Sequence, residues 1–251
     1  MDSHSNPKAT PPAGWQQWLA IPEVPRALPF ALFLLIGSFQ GKGFAGSEYW
    51  MYAVKTIGVG LLLWSIRGWL PEMKWSFRIE GVVVGLVIAG LWIGLDGKIP
   101  SLDELWGMGR KLITGKAPEP PKPEVPWNPL EFYKDAPLLG WTFLMIRVLG
   151  RSLVVPPLEE VFYRSFLYRY FANPKFTELP LNTWHLVSFV STSAVFGLSH
   201  PGQWVQAILC GLAFQALVVR FGRIGDAMLA HATTNLVISI YAIATRQWQF
   251  T

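Results

Sequence analysis

The feature that most constrains this chain is a run of 41 residues, between Glu178 and Arg220, that contains no Lys, Arg, Asp or Glu. A second uncharged run of 19 residues, 227–245, is interrupted only by His231. Soluble proteins do not expose contiguous apolar surface of this extent, and about 20 apolar residues in a helix cross a bilayer. Only 15% of the 251 residues are charged, against about 25% in a typical soluble domain. The chain is therefore predicted to be a polytopic membrane protein.

The apolar windows predict an all-α fold with about eight transmembrane helices. Helix is the expected element because bilayer hydrocarbon offers no partner to the backbone groups of an open strand, and the alternation of a barrel strand is absent. The predicted spans lie near residues 28–46, 49–67, 79–95, 137–155, 157–172, 184–200, 203–220 and 225–245.

Composition divides the chain into four predicted parts. Residues 1–27 form a polar N-terminal tail, 28–95 hold three leading transmembrane helices, 96–136 form a connector, and 137–251 hold a five-helix catalytic core. The connector has six prolines between residues 118 and 129. Such a proline density favours an extended chain over a packed domain.

The positive-inside rule predicts the orientation. Arg67, Lys74 and Arg78 share one short loop, and with eight helices this loop lies on the same side of the membrane as both termini. Both termini are therefore expected in the cytoplasm, in a multi-pass protein of the cell inner membrane. The basic residues are dispersed and form no stripe, so the lipid bilayer is an expected partner and nucleic acid is not.

An acidic pair follows two prolines in the second half of the chain. Pro156 and Pro157 predict the start of a helix, since a missing N–H is tolerated in a first turn, and this places Glu159 and Glu160 in that turn. Glu160 and Arg164 are spaced i,i+4 and can form an ion pair on one face. Glu159 points about 100° away and stays free to act as a general base. The alternative is a non-catalytic acidic pair that caps a helix at the membrane surface.

Two further polar clusters lie in apolar segments. Pro201 disfavours helical geometry at His200, so this imidazole is predicted near a helix end or kink. His231 and Asn235 are spaced i,i+4 and point the same way from an uncharged helix. Taken singly, each is most simply an interhelical hydrogen-bonding group. Together with the acidic pair they predict one buried, polar cavity.

These motifs follow one another on successive membrane helices: Glu-Glu-x-x-x-Arg at 159–164, Phe-x-x-x-His at 196–200 and His-x-x-x-Asn at 231–235. Their order resembles the CAAX prenyl protease family of intramembrane endopeptidases, a superfamily with bacteriocin-processing and immunity-type relatives. The likeness covers about residues 140–245 and implies an eight-helix fold around a catalytic cavity. It also implies a peptide or membrane-anchored protein as substrate. The site residues that it implies are Glu159 and His200 to activate water, His231 and Asn235 to stabilise the oxyanion, and Glu160 and Arg164 in support.

The sequence is compatible with a site with or without a metal cofactor, and it assigns no role to two nearby arginines. A glutamate base and oxyanion donors need no cofactor, whereas two histidines and a glutamate could hold a catalytic zinc with one open position. The His-Glu-x-x-His spacing of soluble zinc proteases is absent, and the single cysteine, Cys210, excludes a Cys-based cluster. Arg147 and Arg151, one turn apart, could face the same cavity or extend to its rim.

The predicted spans contain a conflict of depth. If every helix crossed the bilayer between the predicted loops, Glu159 and His200 would lie near one face and His231 about 9 Å from the other. A single site then requires that Pro156 and Pro157 break a helix deep in the membrane, or that the predicted boundaries are shifted.

Two other functions are compatible with buried polar residues in a membrane protein. One is a non-catalytic immunity or scaffolding protein of the same fold, which would not need an unneutralised glutamate in lipid. The other is a transporter or channel with a proton relay, which is expected to show inverted repeats that this sequence lacks. An intramembrane endopeptidase is therefore the favoured hypothesis.

Overall fold

The structure, a computed structural model, describes residues 14–115 and 126–251. These residues form helices and connecting segments without a β-strand, which confirms the predicted all-α class. Short 3₁₀ turns follow several helices. Within the described ranges the helices are α1 Gly14–Leu19, α2 Glu23–Gly37, α3 Ser47–Ile66, α4 Ile79–Leu95, α5 Leu102–Thr114, α6 Pro129–Phe132, α7 Pro137–Ala172, α8 Leu186–Leu198, α9 Trp204–Phe221 and α10 Gly225–Thr245.

The described part of the chain contains four helical segments that are long and apolar enough to cross a membrane. They are built on α3, α7, α9 and α10, and α4 and α8 are shorter apolar helices. Large apolar side chains point outward from these helices, for example Leu61 on α3 and Val187 on α8, each 64% exposed. Such surface is stable against lipid and not against water. The protein is therefore an integral membrane protein, and the number of eight crossings stays a prediction.

Helix α7 joins two of the predicted spans, 137–155 and 157–172, so the prediction of two separate helices was wrong. The helix runs through Pro156 and Pro157 because π-helical turns at Gly150–Val154 end two residues before the first of these prolines. A proline lacks an N–H, and its ring clashes with the carbonyl four residues back in a regular α-helix. The wider i→i+5 turn displaces that carbonyl and so accommodates the prolines inside the helix.

Glu159 and Glu160 consequently lie in the interior of α7, and their predicted place in a first helical turn was wrong. The helix has 36 residues and is about 50 Å long, which exceeds the roughly 30 Å hydrocarbon core of a bilayer. An interior position removes the conflict of depth with His231, since the two glutamates no longer lie beside a loop.

Helices also occupy parts of the predicted polar tail and of the predicted connector. Helix α1 and the first residues of α2 lie within 1–27, of which residues 1–13 are outside the described part. Helices α5 and α6 lie within 96–136, of which residues 116–125 are outside it. An extended connector was therefore wrong for α5, which is amphipathic and begins with a capping box. The division into four parts remains a proposal.

Two glycines allow α4 to pack closely against α10. Gly81 and Gly85 lie one turn apart, and a Cβ added to Gly85 would lie 2.5 Å from the carbonyl oxygen of Ala230. The hydroxyl of Thr234 donates to the Gly85 carbonyl at 3.0 Å. Small residues four apart let membrane helices approach in this way. The contact fixes the position of α10 along α4, and therefore the position of His231.

A buried charge network joins α2, the loop after α3 and the end of α7. Arg26 donates to Glu72 at 2.7 Å, and the Ser165 hydroxyl donates to the same carboxylate and accepts from Arg169 at 2.9 Å. Burial raises the pKa of Glu72, but the Ser165 hydroxyl and the Arg26 guanidinium outweigh burial and hold that pKa below its ordinary value. The contribution of this network to the stability of the folded protein is therefore fully present at pH values above the ordinary carboxyl pKa. It is lost as the pH falls through the lowered pKa of Glu72.

Replacing Gly85 with Ala is expected to lower the free energy of unfolding by about 1–3 kcal/mol, because the added methyl overlaps α10. Gly90→Ala is the matched control on the same helix, since a Cβ at Gly90 meets nothing within 4 Å. The thermal unfolding midpoints of the two purified variants in detergent measure the difference. Equal midpoints would show that α4 and α10 do not approach this closely.

Candidate active site

Glu160 is the centre of a buried hydrogen-bonded group. Arg164 donates through Nε to Glu160 Oε2 at 2.9 Å, and neither side chain is exposed. This is the i,i+4 ion pair predicted from the sequence. The other carboxylate oxygen, Oε1, lies 3.0 Å from Nδ1 of His231 on α10. One carboxylate thus neutralises a cation of its own helix and holds an imidazole of another helix.

The Glu160 carboxylate determines how the His231 ring is oriented. A carboxylate paired with arginine has no proton to donate, so Nδ1 of His231 carries the hydrogen and donates it. The ring stacks on Phe214, with 5.3 Å between the centroids. Its Nε2 lies 3.9 Å from Oε2 of Glu159. The structure therefore places this imidazole between two adjacent carboxylates of α7.

Glu159 differs from its neighbour because it faces a cavity. Its side chain is 12% exposed, and its Oε2 is buried without a hydrogen-bond donor among the described residues. A buried acceptor that stays unsatisfied costs about 1–3 kcal/mol, and more when it is charged. Glu159 is therefore available to a hydrogen-bond donor that enters the cavity.

His200 lies two residues after Leu198, the last residue of α8, at the helix end that the sequence predicted. Its Nδ1 is 3.0 Å from the carbonyl oxygen of Phe196, and since a carbonyl only accepts, Nδ1 donates. The neutral ring then has Nε2 as a free acceptor. The ring also packs against the rings of Phe196 and Trp92, at 4.8 and 5.9 Å between centroids.

Asn235 lies one turn after His231 on α10. Its side-chain nitrogen donates to the backbone carbonyl of Arg151 at 2.8 Å. Arg151 belongs to the π-helical turns of α7, whose carbonyls are displaced from regular helical hydrogen bonds. This contact ties α10 to α7 and uses one of the two amide hydrogens, which leaves the other for a further acceptor.

The predicted site residues divide into two groups around a cavity of about 480 Å³. Glu159, His200, His231 and Asn235 line this cavity, and buried Glu160 and Arg164 lie behind His231 and do not line it. Aromatic side chains form much of the remaining wall. The volume falls within the range of pockets that bind small ligands, and is sufficient for a short stretch of peptide.

The donor atoms around this cavity do not fit a metal ion. A catalytic zinc needs three protein ligands and an open position. In the part of the chain that the structure describes, no three His, Cys, Asp or Glu side chains converge as such a site requires. The zinc alternative therefore has no ligand set in this arrangement.

Three cationic side chains of the cavity wall received no function from the sequence: Lys55, Arg147 and Arg151. Lys55 belongs to α3, and no local spacing connects α3 with the motifs. Arg147 and Arg151 precede Glu159 by 12 and 8 residues. On a regular α-helix these spacings do not share a face, so the sequence offered no signal that these two arginines line the same cavity as Glu159.

Comparison with protein families identifies the segment that holds this site. Residues 141–237 match the model described as type II CAAX prenyl endopeptidase, Rce1-like. The match begins in α7, ends in α10 and includes all six predicted site residues, and it confirms the family resemblance drawn from the motifs. No curated protein and no solved structure matches the chain. The Rce1-like segment supports an intramembrane endopeptidase of the CAAX protease type.

Replacing Glu160 with Gln is expected to lower the free energy of unfolding by about 3–5 kcal/mol, because Arg164 becomes a buried charge without a counter-charge. Glu80→Gln is the control, since the Arg78–Glu80 pair is nearly half exposed and its loss should leave the unfolding midpoint unchanged. Thermal unfolding of both variants in one detergent makes the comparison. A midpoint for Glu160→Gln equal to that of the control would contradict the buried ion pair.

Proposed function

We propose that this protein hydrolyses peptide bonds within the membrane, with Glu159 as the general base. The observation that carries the proposal is the buried Oε2 of Glu159, which lines the cavity, has no hydrogen-bond donor among the described residues and lies 3.9 Å from His231. The Rce1-like match independently supports a peptidase. The proposed substrate is a peptide or a membrane-anchored protein.

In the first step, Glu159 and His200 hold the attacking water. One O–H of the water donates to the Glu159 carboxylate, and the other donates to Nε2 of His200, which is free because Nδ1 donates to Phe196. The water oxygen bonds to the carbonyl carbon while its proton moves to Glu159. A positioned general base of this kind contributes about 100- to 10,000-fold to a rate.

His231 and Asn235 stabilise the negative charge that forms on the carbonyl oxygen. Since Nδ1 of His231 donates to Glu160, the ring donates to the oxyanion through a second proton on Nε2. Asn235 supplies its second amide hydrogen, and such donors contribute about 3–4 kcal/mol each.

The intermediate then breaks at the C–N bond. Glu159 gives the proton it took from water to the leaving nitrogen, which departs as an amine, and the carbonyl re-forms as a carboxylic acid. Glu159 returns to a carboxylate, so atoms and charge balance without a co-reactant. Glu160 and Arg164 change no bond, and their proposed role is to position His231.

We propose that residues 137–251 form the catalytic core and that the N-terminus faces the cytoplasm from the cell inner membrane. The C-terminus shares that side only with an even number of crossings, such as the eight that the sequence predicts. The basic residues of the loop between α3 and α4 support this orientation, because such residues favour the cytoplasmic side.

Glu159→Gln is expected to abolish hydrolysis and to leave the unfolding midpoint unchanged, since Gln keeps the shape of the side chain and cannot accept the proton. Glu178→Gln, at an exposed glutamate, is the matched control and should retain full activity. Cleavage of a quenched-fluorescence peptide library by the purified protein measures both, with and without a strong zinc chelator.

The glutamate-base mechanism requires cleavage by wild type that the chelator does not reduce. Full turnover by Glu159→Gln would contradict it, and so would loss of wild-type activity with the chelator. A folded wild-type protein that cleaves no member of the library and no membrane-anchored peptide would favour the immunity or scaffolding alternative.

Asn235→Ala is expected to lower kcat by about 100- to 1,000-fold with a much smaller change in KM, because the donor acts on the charge of the transition state. Asn182→Ala, at an exposed loop residue, is the control and should match wild type. A change confined to KM would show that Asn235 binds substrate without stabilising an oxyanion.

A further inference from the structure

The cavity that Glu159 faces is also lined by three cationic side chains, Lys55 from α3 and Arg147 and Arg151 from α7. Within the described residues, none of the three lies within 4.0 Å of a carboxylate oxygen. Cations inside a membrane protein are costly and normally pair with an acidic group. Three unpaired cations in one cavity therefore indicate a site for an anion that comes from outside the chain.

Aromatic rings hold two of these cations in place without neutralising them. The guanidinium carbon of Arg147 lies 4.6 Å from the centre of the Tyr52 ring and 4.4 Å from that of Trp127. Lys55 Nζ lies 5.1 Å from the same Tyr52 ring and 4.4 Å from the ring of Phe33. The two cations thus share one aromatic wall. Arg147 Nε is buried without a hydrogen-bond partner among the described residues, so it has a donor to offer.

Arg151 connects this cationic group to the proposed catalytic residues. Its Nη1 donates to the backbone carbonyl of Phe250 at 2.5 Å, and its own backbone carbonyl accepts from Asn235. A guanidinium has five N–H donors, so one hydrogen bond leaves several for an anion. A guanidinium frequently binds a carboxylate through two parallel N–H···O hydrogen bonds in one plane.

The spacing along α7 places the cations at a defined distance from the base. Arg147, Arg151, Val155 and Glu159 all line the cavity at intervals of four residues. The π-helical turns between them keep this spacing on one face, which a regular helix of 3.6 residues per turn would not. The rise along the helix separates Arg151 and Arg147 from Glu159 by about 12 and 18 Å. An extended peptide covers that distance in about four to five residues.

We infer that Lys55, Arg147 and Arg151 form a subsite that binds a carboxylate of the substrate, about four to five residues from the bond that is cut. The carboxylate is either the free C-terminus of a peptide or an acidic side chain near it. This inference rests on the proposed function, because it assigns the substrate class of the same cavity.

The test measures binding of three fluorescent peptides that are otherwise identical. The first has a free C-terminal carboxylate, the second a C-terminal carboxamide, and the third a carboxamide with Glu as its last residue. Fluorescence anisotropy gives their Kd values on the Glu159→Gln protein in phosphatidylcholine nanodiscs, which contain no net-anionic lipid. Because binding on this background needs no hydrolysis, failure of the subsite and failure of the proposed chemistry give separate results.

The first or the third peptide is expected to bind at least about tenfold more tightly than the second, and which of them does so identifies the source of the carboxylate. Arg147→Gln and Arg151→Gln, each added to the same background, should bring the three Kd values within about twofold of one another. Lys175→Gln, at an exposed lysine, should preserve the difference. Equal affinity for all three peptides, or no binding of any, would overturn the inference. Equal weakening of all three by the arginine variants would do the same.

Discussion

The candidate active site depends on the buried carboxylate of Glu160. Its charge is tolerated inside the protein because Arg164 and His231 both satisfy it, at 2.9 and 3.0 Å. By accepting the Nδ1 hydrogen it fixes the orientation of the His231 ring and sets Nε2 beside Glu159. Two adjacent glutamates thereby acquire different environments, one satisfied within the protein and one open to the cavity. In the proposed mechanism Glu160 positions His231, and Glu159 takes part in the reaction as the general base.

The depth of the site follows from the continuity of α7. The π-helical turns before Pro156 and Pro157 keep the helix unbroken, so that its glutamates lie far from either end. The close approach of α4 and α10 at Gly85 sets the position of α10 along α4. The π-helical turns of α7 and the close contact between α4 and α10 together bring Glu159 and His231 within 3.9 Å.

Much of this organisation could be predicted from the sequence, because it depends on local spacing. The uncharged runs predicted helices in a membrane, and the i,i+4 rule predicted the pair of Glu160 and Arg164. The hydrogen bond between Glu160 and His231, 71 residues later, is a tertiary contact that local spacing does not predict; the polar clusters and the family resemblance predicted only that both residues belong to one site. The continuity of α7 was missed because the rule for prolines assumes a regular α-helix. Lys55 was missed because nothing in its own segment relates α3 to the motifs.

A double-mutant cycle on kcat/KM with Glu159→Gln and His231→Gln tests the central claim most directly, namely that these two side chains act as one unit on one substrate bond. Residues that act as a unit lose their joint effect once either is removed. The account predicts that the double variant is about as slow as the slower single variant. Losses that multiply, with the double variant slower by the product of the two single effects, would contradict it.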